Sequence, residues 1–225
     1  MHHEPLLNWQ VPALPSRATL HGRYMRLEGL NPARHADDLW HVLQGPDSDP
    51  WLWEYMAYGP FAERGAFDAW LTANAATDNP LFYAVVDQAS GQVQGLLSYL
   101  NIVPAHGSIE IGNICYGRVM QRSVQASEAI YLLAAYAFRL GYRRLEWKCN
   151  AQNARSRRAA ERFGFTYEGL FRQHMVIKDR NRDTAWFALL DQHWPAQQAT
   201  FERWLAADNQ TAAGQIRTLA ACHAG

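Results

Sequence analysis

Residues 108–163, SIEIGNICYGRVMQRSVQASEAIYLLAAYAFRLGYRRLEWKCNAQNARSRRAAERF, carry a change of period that decides the architecture. Over 108–117 side chains alternate, with Ile109, Ile111, Asn113 and Cys115 expected on one face and Glu110, Gly112, Ile114 and Tyr116 on the other, as in a strand. From about 124 to 140 the apolar residues Ala126, Ala129, Ile130, Leu133, Tyr136, Ala137 and Leu140 recur at helical steps, and Gly141 supplies the stop. RRLEWKCN (143–150) alternates again, with Leu145, Trp147 and Cys149 on one side. Asn153 then caps a short helix that ends at Phe163, with Gly164 after it. The order is strand, polar loop, strong helix, strand, short helix.

Working outward, 18–28 reads as a first strand, and Asn31-Pro32 opens a helix through about Leu43. The stretch 44–62 is broken by proline and glycine yet holds Trp51, Trp53, Tyr55, Tyr58 and Phe61, and a second helix follows at about 63–75. LFYAVVD and QVQGLLSYLNI, joined at Ser90-Gly91, form an antiparallel hairpin. Residues 165–191 give two strands around the charged turn Lys178–Arg182, and the Ala/Gln-rich tail has one amphipathic turn at Phe201–Leu205. Alternating and antiparallel pieces together predict an α/β (α+β) fold, a mixed central sheet of six to seven strands flanked by helices. The expected division is a domain over 1–195 and a C-terminal helical extension over 196–225.

Composition narrows the chemistry. The 225 residues include 48% hydrophobic and 19% charged side chains, enough apolar surface for a large core. Twenty-one basic residues balance 21 acidic ones, so phosphate-driven DNA binding is disfavoured. Only Lys148 and Lys178 of the basic set are lysines. No stretch reaches the ~18 apolar residues of a membrane span, and no secretory signal is visible at the N-terminus. Cys115, Cys149 and Cys222, odd in number and without CxxC spacing, suit a reducing cytoplasm. Walker, Rossmann, HExxH and GxSxG patterns are missing, and beyond His2–His3 the histidines form no ligand-spaced cluster, so no metal is expected.

The strand–loop–helix junction can hold an anion, because the free N–H groups and dipole of a helix's first turn point at whatever lies there. Arg122 can add charge and Ser123 can cap; an ordinary capped helix beside solvated arginines fits the same residues.

The string from Tyr116 to Asp191, with N-x-x-S, F-G-F, E-G and R-N-R-D-T in order, resembles the GCN5-related N-acetyltransferases, and among them the branch of the ribosomal-protein acetylases RimJ and RimL. The resemblance spans roughly residues 18–195. It implies an acyl-CoA-dependent transfer to an amine, with acetyl-CoA lying where two parallel strands splay apart. The strand before the long helix, with Ile114 and Tyr116, would face the pantetheine arm. The pyrophosphate loop Q/R-x-x-G-x-G/A falls on Gln121, Arg122, Ser123, Val124, Gln125 and Ala126, with Val124 in place of the first glycine. Asn153 matches the asparagine near the thioester, and an arginine such as Arg157 would meet the 3′-phosphate.

For the chemistry, Ser156 stands where the RimL-like enzymes protonate the leaving thiolate, or it supplements the helix cap. The tyrosine that many members use for this falls on Ala160. Glu110 is the first candidate base, on the strand lining the cleft, with a solvated or arginine-paired carboxylate as the alternative. The RimL-like catalytic glutamate falls on Met175, which cannot move a proton. Neighbouring His174 is a second candidate base if a bulge turns it inward. Deprotonating a lysine at pH 7 costs about 4–5 kcal/mol and an α-amine about 1 kcal/mol, which favours an α-amine acceptor. Trp51, Trp53 and Tyr55 would shape the acceptor cleft, or pack as core.

The expectation is therefore a cytoplasmic N-acetyltransferase acting by direct transfer on a peptide α-amine or small-molecule amine, with no nucleic-acid or membrane partner and compatible with a homodimer. Alternatives are the same fold with succinyl-CoA or another acyl-CoA, a non-catalytic acyl-CoA sensor, and, more distantly, an RNA-binding use of the 155–162 arginines.

Overall fold

The computed structural model describes residues 8–211 and 214–222, so His2 and His3 lie outside the described residues. Its eight-stranded sheet runs β1-β2-β3-β4-β5-β6-β8-β7. The strands are β1 (Leu20–His21), β2 (Met25–Gly29), β3 (Leu81–Asp87), β4 (Val93–Val103), β5 (Ser108–Tyr116), β6 (Arg144–Asn150), β7 (Thr166–Ile177) and β8 (Arg180–Leu190). All neighbours are antiparallel except β5 and β6. Helices α1 (Pro32–Gln44) and α2 (Arg64–Ala75) cover one face, and α3 (Val124–Arg139) and α5 (Trp194–Leu205) cover the other. Helix α4 (Ala154–Arg162) follows β6, and a small hairpin of β9 (Gln210–Thr211) and β10 (Gly214–Gln215) follows α5.

The sheet has eight strands, against an expected six to seven, because the single strand read over 18–28 is two. Buried Glu128, on α3, accepts the backbone N–H groups of Arg23, Tyr24 and Met25, each at 2.7 Å, and so pins the turn that separates β1 from β2. A side chain on Gly22 would collide with that carboxylate, since an added Cβ would sit 2.5 Å from Glu128 Cδ. One carboxylate and three backbone amides far apart in sequence thus fix the edge of the sheet to α3.

The division expected at residue 195 falls inside α5, where Pro195 occupies a first-turn position that needs no N–H donor. Phe201, Trp204 and Leu205 on this helix share one buried cluster with Ile109, Ile111, Leu133 and Trp147. Phe163 stacks on Phe201 with centroids 5.8 Å apart, so the C-terminal helix completes the core beneath α3 and α4.

Strict alternation along β5 fails at one place. Leu96 pairs with Cys115 and Ser98 with Gly112, so one residue of β4 faces two of β5. Asn113 carries the extra residue at φ +52, a left-handed conformation that asparagine tolerates better than most side chains. Beyond this bulge the faces exchange: Ile114 and Tyr116 join the α3 side with Ile109 and Ile111, while Cys115 enters the α1/α2 core.

Replacing Glu128 by alanine strands three backbone donors and should cost about 3 kcal/mol or more of folding stability, read by urea denaturation. An effect under about 1 kcal/mol would mean that water satisfies the turn.

Candidate active site

β5 and β6 pair in parallel only over Ser108–Glu110 and Arg144–Glu146. Past those residues the ladder stops, and the opening between the strands widens into a cleft of about 1910 Å³. Small-molecule pockets usually measure ~300–1,000 Å³, so this one suits an extended ligand. Its walls are the outer half of β5, residues 147–150 of β6, the N-termini of α3 and α4, the segment 49–58 and the β9–β10 hairpin.

The α3 mouth is built by Gly117–Ser123. Ser123 is the N-cap: its Oγ accepts from Ala126 N at 3.2 Å and donates to Met120 O. The N–H groups of Val124 and Gln125 precede any intrahelical partner and line the cleft. Val124 begins the helix and has no positive φ; the left-handed residue of the loop is Arg122, at φ +61. The absence of glycine at 124 therefore leaves the loop intact. Gln121 donates to Tyr116 O at 3.1 Å, tying the loop to β5.

Arginine supplies the charge. Arg122, Arg158 and Arg162 line the cleft and have no ion-pair partner among the described residues. Arg162 donates to Ser127 Oγ at 3.0 Å, and its guanidinium carbon lies 5.0 Å from the Trp204 ring centre and 5.1 Å from that of Phe163. Arg157, expected here, is not among the cleft-lining residues. It reaches Ala151 O at 3.4 Å and lies over Tyr167. The spacing 155, 158, 162 marks one helix face and was available in the sequence as the better guide.

Asn153 caps α4 by accepting Ser156 N at 3.0 Å, and it lines the cleft. Ser156 Oγ does not cap; it accepts Trp147 Nε1 at 2.9 Å and lies beside the Cys149 thiol, which burial pushes up. Its own O–H hydrogen-bonds the Cys149 thiol and pulls that thiol's pKa down against burial, so it already serves as a donor to sulfur.

Glu110 is buried, and its Oε2 takes Lys148 Nζ at 2.6 Å and Asn101 Nδ2 at 2.7 Å. Oε1 points toward Gly112, where an added Cβ would come within 3.6 Å of it and 2.8 Å of Leu100 Cδ2, so Leu100 fills the space beside the glycine. Burial raises the Glu110 pKa above the usual carboxylate range, and the Lys148 ammonium and Asn101 amide pull it back. The partner is a lysine, where the alternative reading of Glu110 named an arginine, and Asn101, at φ +46 in a second bulge, is an unforeseen contributor. Lys148 also lies 4.2 Å from the centre of the Trp186 ring.

A bulge does intervene between Phe171 and Met175, with Gln173 left-handed at φ +49. His174 nevertheless contacts Thr184 Oγ1 at 3.0 Å and the rings of Phe171 and Trp186, and it is exposed outside the cleft lining. Trp53 is also corrected: it is buried among the α1/α2 aromatics, and its Nε1 donates to Leu43 O. Trp51 and Tyr55 do line the cleft, and Tyr55 reaches Gln152 O at 3.4 Å. Among the described residues no three His, Cys, Asp or Glu side chains gather as a metal-ligand set, and no helix is long and apolar enough to cross a membrane.

A capped helix N-terminus at the parting of two parallel strands, with a bulged strand on one side, is the ground plan of an acyltransferase. Residues 26–166 match the sequence profile of the acetyltransferase (GNAT) domain. The chain is 46% identical to a GCN5-related N-acetyltransferase from Brucella melitensis, with 97% of this chain and 99% of that one covered and a TM-score of 0.94. A probable acetyltransferase of the GNAT family from Chromobacterium violaceum is 40% identical over 87% of this chain and 97% of its own, with a TM-score of 0.81. At 20% identity and a TM-score of 0.65, covering 75% of this chain and 96% of the other, the Salmonella typhimurium enzyme that modifies the N-terminal serine of ribosomal protein L7/L12 shares the fold. No curated protein matches. The chain belongs to the GCN5-related N-acetyltransferase family and is an N-acetyltransferase.

In Lys148→Met the Glu110 carboxyl loses its cation, so its pKa should climb further, read by carbon-13 NMR titration. A carboxyl raised in the folded state favours the protonated form there. The variant should therefore lose stability as pH rises from the ordinary carboxylate pKa to its own raised one. An unmoved titration would show that Lys148 does not set the proton affinity of Glu110.

Proposed function

We propose that the protein transfers an acetyl group from acetyl-CoA directly to a primary amine, a small-molecule amine or a peptide α-amine, without a covalent enzyme intermediate. The single observation carrying this reading is the parting of β5 from β6 beside the Ser123-capped mouth of α3. The donor set suits the nucleotide: two first-turn N–H groups and three unpaired arginines at one end of the cleft, and the bulge at Asn113, which leaves backbone outside the ladder, further along. When bound there, acetyl-CoA supplies an acetyl thioester.

The chain's own residues then have separable tasks. Arg122, Arg158 and Arg162, with the Val124 and Gln125 amides, hold negative charge. Asn153, Ile114 and Tyr116 flank the passage between the strands. Glu110, through Oε1, accepts a proton from the incoming ammonium; its raised proton affinity brings it nearer neutral pH than an exposed carboxylate. Ser156, its oxygen already bonded by the Trp147 indole, donates its hydroxyl proton toward the leaving sulfur. Within the family the RimJ/RimL-like branch remains the reading of the sequence motifs. Met175 in place of that branch's glutamate favours an acceptor other than a ribosomal protein. Trp51 and Tyr55 on the acceptor wall favour a substrate with apolar or aromatic surface.

Calorimetry should detect CoA binding, and a bound thioester should raise Tm. Silence in both would end this reading. Ser156→Ala should lower kcat by about 10²-fold while changing the Kd of CoA by less than about threefold. Glu110→Gln should lower kcat/KM by about 10²-fold or more and remove the acid limb of its pH profile. Equal turnover in either variant would take that residue out of the mechanism.

A further inference from the structure

Arg182 is a guanidinium with nothing to hold. It stands on β8, where Trp186 is paired with Lys148 and Thr184 with Asn150, so alternation puts Arg182 on the sheet face of Lys148 and Glu110. It is half-buried and lines the cleft, and its Nε is buried without a hydrogen-bond partner. The acids around it are committed elsewhere. Asp183 accepts Gln173 N at 2.7 Å and Asn181 Nδ2 at 2.9 Å; Glu54 lies 3.8 Å from Arg180; Glu110 is taken by Lys148 and Asn101. Among the described residues Arg182 makes no ion pair or hydrogen bond.

A desolvated, unpaired charge is unfavourable unless an anion joins it, and a planar guanidinium fork matches a carboxylate in two parallel bonds. The nucleotide already has its own cations, Arg122, Arg158 and Arg162, around the mouths of α3 and α4. We propose that Arg182 receives a carboxylate of the acceptor, so that the substrate is a compact amino acid-like molecule whose amine faces Glu110 while its anionic end is forked by Arg182. Leu52, Met56 and Trp51 on the neighbouring wall would take an apolar side chain. The amine and carboxylate are then separated by the protein's own ruler, Glu110 to Arg182. This inference rests on the acetyl-transfer reading above and adds the class of acceptor.

The test pairs free apolar, aromatic and acidic L-amino acids with their α-amides, following thiol release from acetyl-CoA. In parallel, calorimetry titrates the matching N-acetyl amino acids and their amides into the CoA-saturated protein. An acidic residue in a peptide could offer the same carboxylate, so Phe-Asp-amide is set beside phenylalanine; preference for the dipeptide assigns the anion to a side chain. An amide has the more acidic ammonium, so amine chemistry alone would favour it. The expected result is the reverse: at least about a tenfold higher kcat/KM for one or more acids than for the paired amides. In Arg182→Gln that discrimination should vanish, mainly through KM, and Arg182→Lys should restore it in part; both should keep wild-type CoA affinity, which verifies the fold. Wild-type indifference between acid and amide in turnover and in binding overturns the proposal, as does discrimination that survives in Arg182→Gln. CoA binding without carboxylate preference sinks this inference alone, whereas carboxylate binding without CoA binding sinks the acetyl-transfer reading.

Discussion

Three residues of parallel pairing hold β5 to β6, and the cleft exists because that pairing goes no further. Continued to Tyr116, the ladder would satisfy the backbone and close the cleft. The extra residue at Asn113 makes continuation unfavourable, because a bulge breaks the regular course of β5 and changes which faces its side chains occupy. The open edge is tolerable because rigid parts brace it. Glu128 locks α3 to the β1–β2 turn, Tyr99 donates its hydroxyl to the Leu133 carbonyl of the same helix, and α5 packs beneath. A widened strand gap on a soft scaffold would collapse; here the core beneath it is continuous from β1 to α5.

The parts of this design that obey one period were legible in the sequence. Helix α3 with its Ser123 cap, α4 with Asn153, the β3–β4 hairpin and the strand β6 follow from apolar spacing and capping chemistry. What escaped is where the period breaks without a glycine or proline to mark it. Asn101, Asn113 and Gln173 each adopt left-handed backbone inside a strand, and each shifts a register. An asparagine in an alternating run is a weak sign of a bulge, so Cys115 was put on the wrong face. Side-chain pairing was also hidden: the Lys148–Glu110 bond joins residues 38 apart, through strand contacts that only the folded sheet supplies. The burial of the tail in the core was hard to read because its apolar residues, Phe201, Trp204 and Leu205, are few, large and diluted by alanine and glutamine.

Charge along the cleft is more uneven than the neutral chain suggests. Some exposed arginines elsewhere sit in ion pairs that contribute little to stability, such as Arg64 with Asp37 and Asp68. Of the cleft arginines only Arg155 has such a partner among the described residues; Arg122, Arg158, Arg162 and Arg182 have none. A zero net charge therefore coexists with a local positive field, focused by low-dielectric walls where an anionic ligand would lie. The two sheet faces divide this field, with Arg162 beside α3 and Arg182 beside Glu110.

Asp49 shows where that field has been trimmed. Its carboxylate accepts Trp51 N at 3.0 Å and Arg155 at 3.2 Å; burial pushes its pKa up, but the backbone bond, Gln121 and Arg155 outweigh it and hold the pKa below the usual range. Arg155 therefore has an internal anion already, as Arg122, Arg158 and Arg162 do not. The same contact ties the segment after α1 to α4 across the cleft, helped by Arg118 on Ser48 O and Lys178 on Trp53 O. One carboxylate thus does two things at once. It spends one arginine on holding the segment after α1 against α4, and it leaves the unneutralised positive charge of the cleft wall to Arg122, Arg158 and Arg162, which no carboxylate among the described residues pairs.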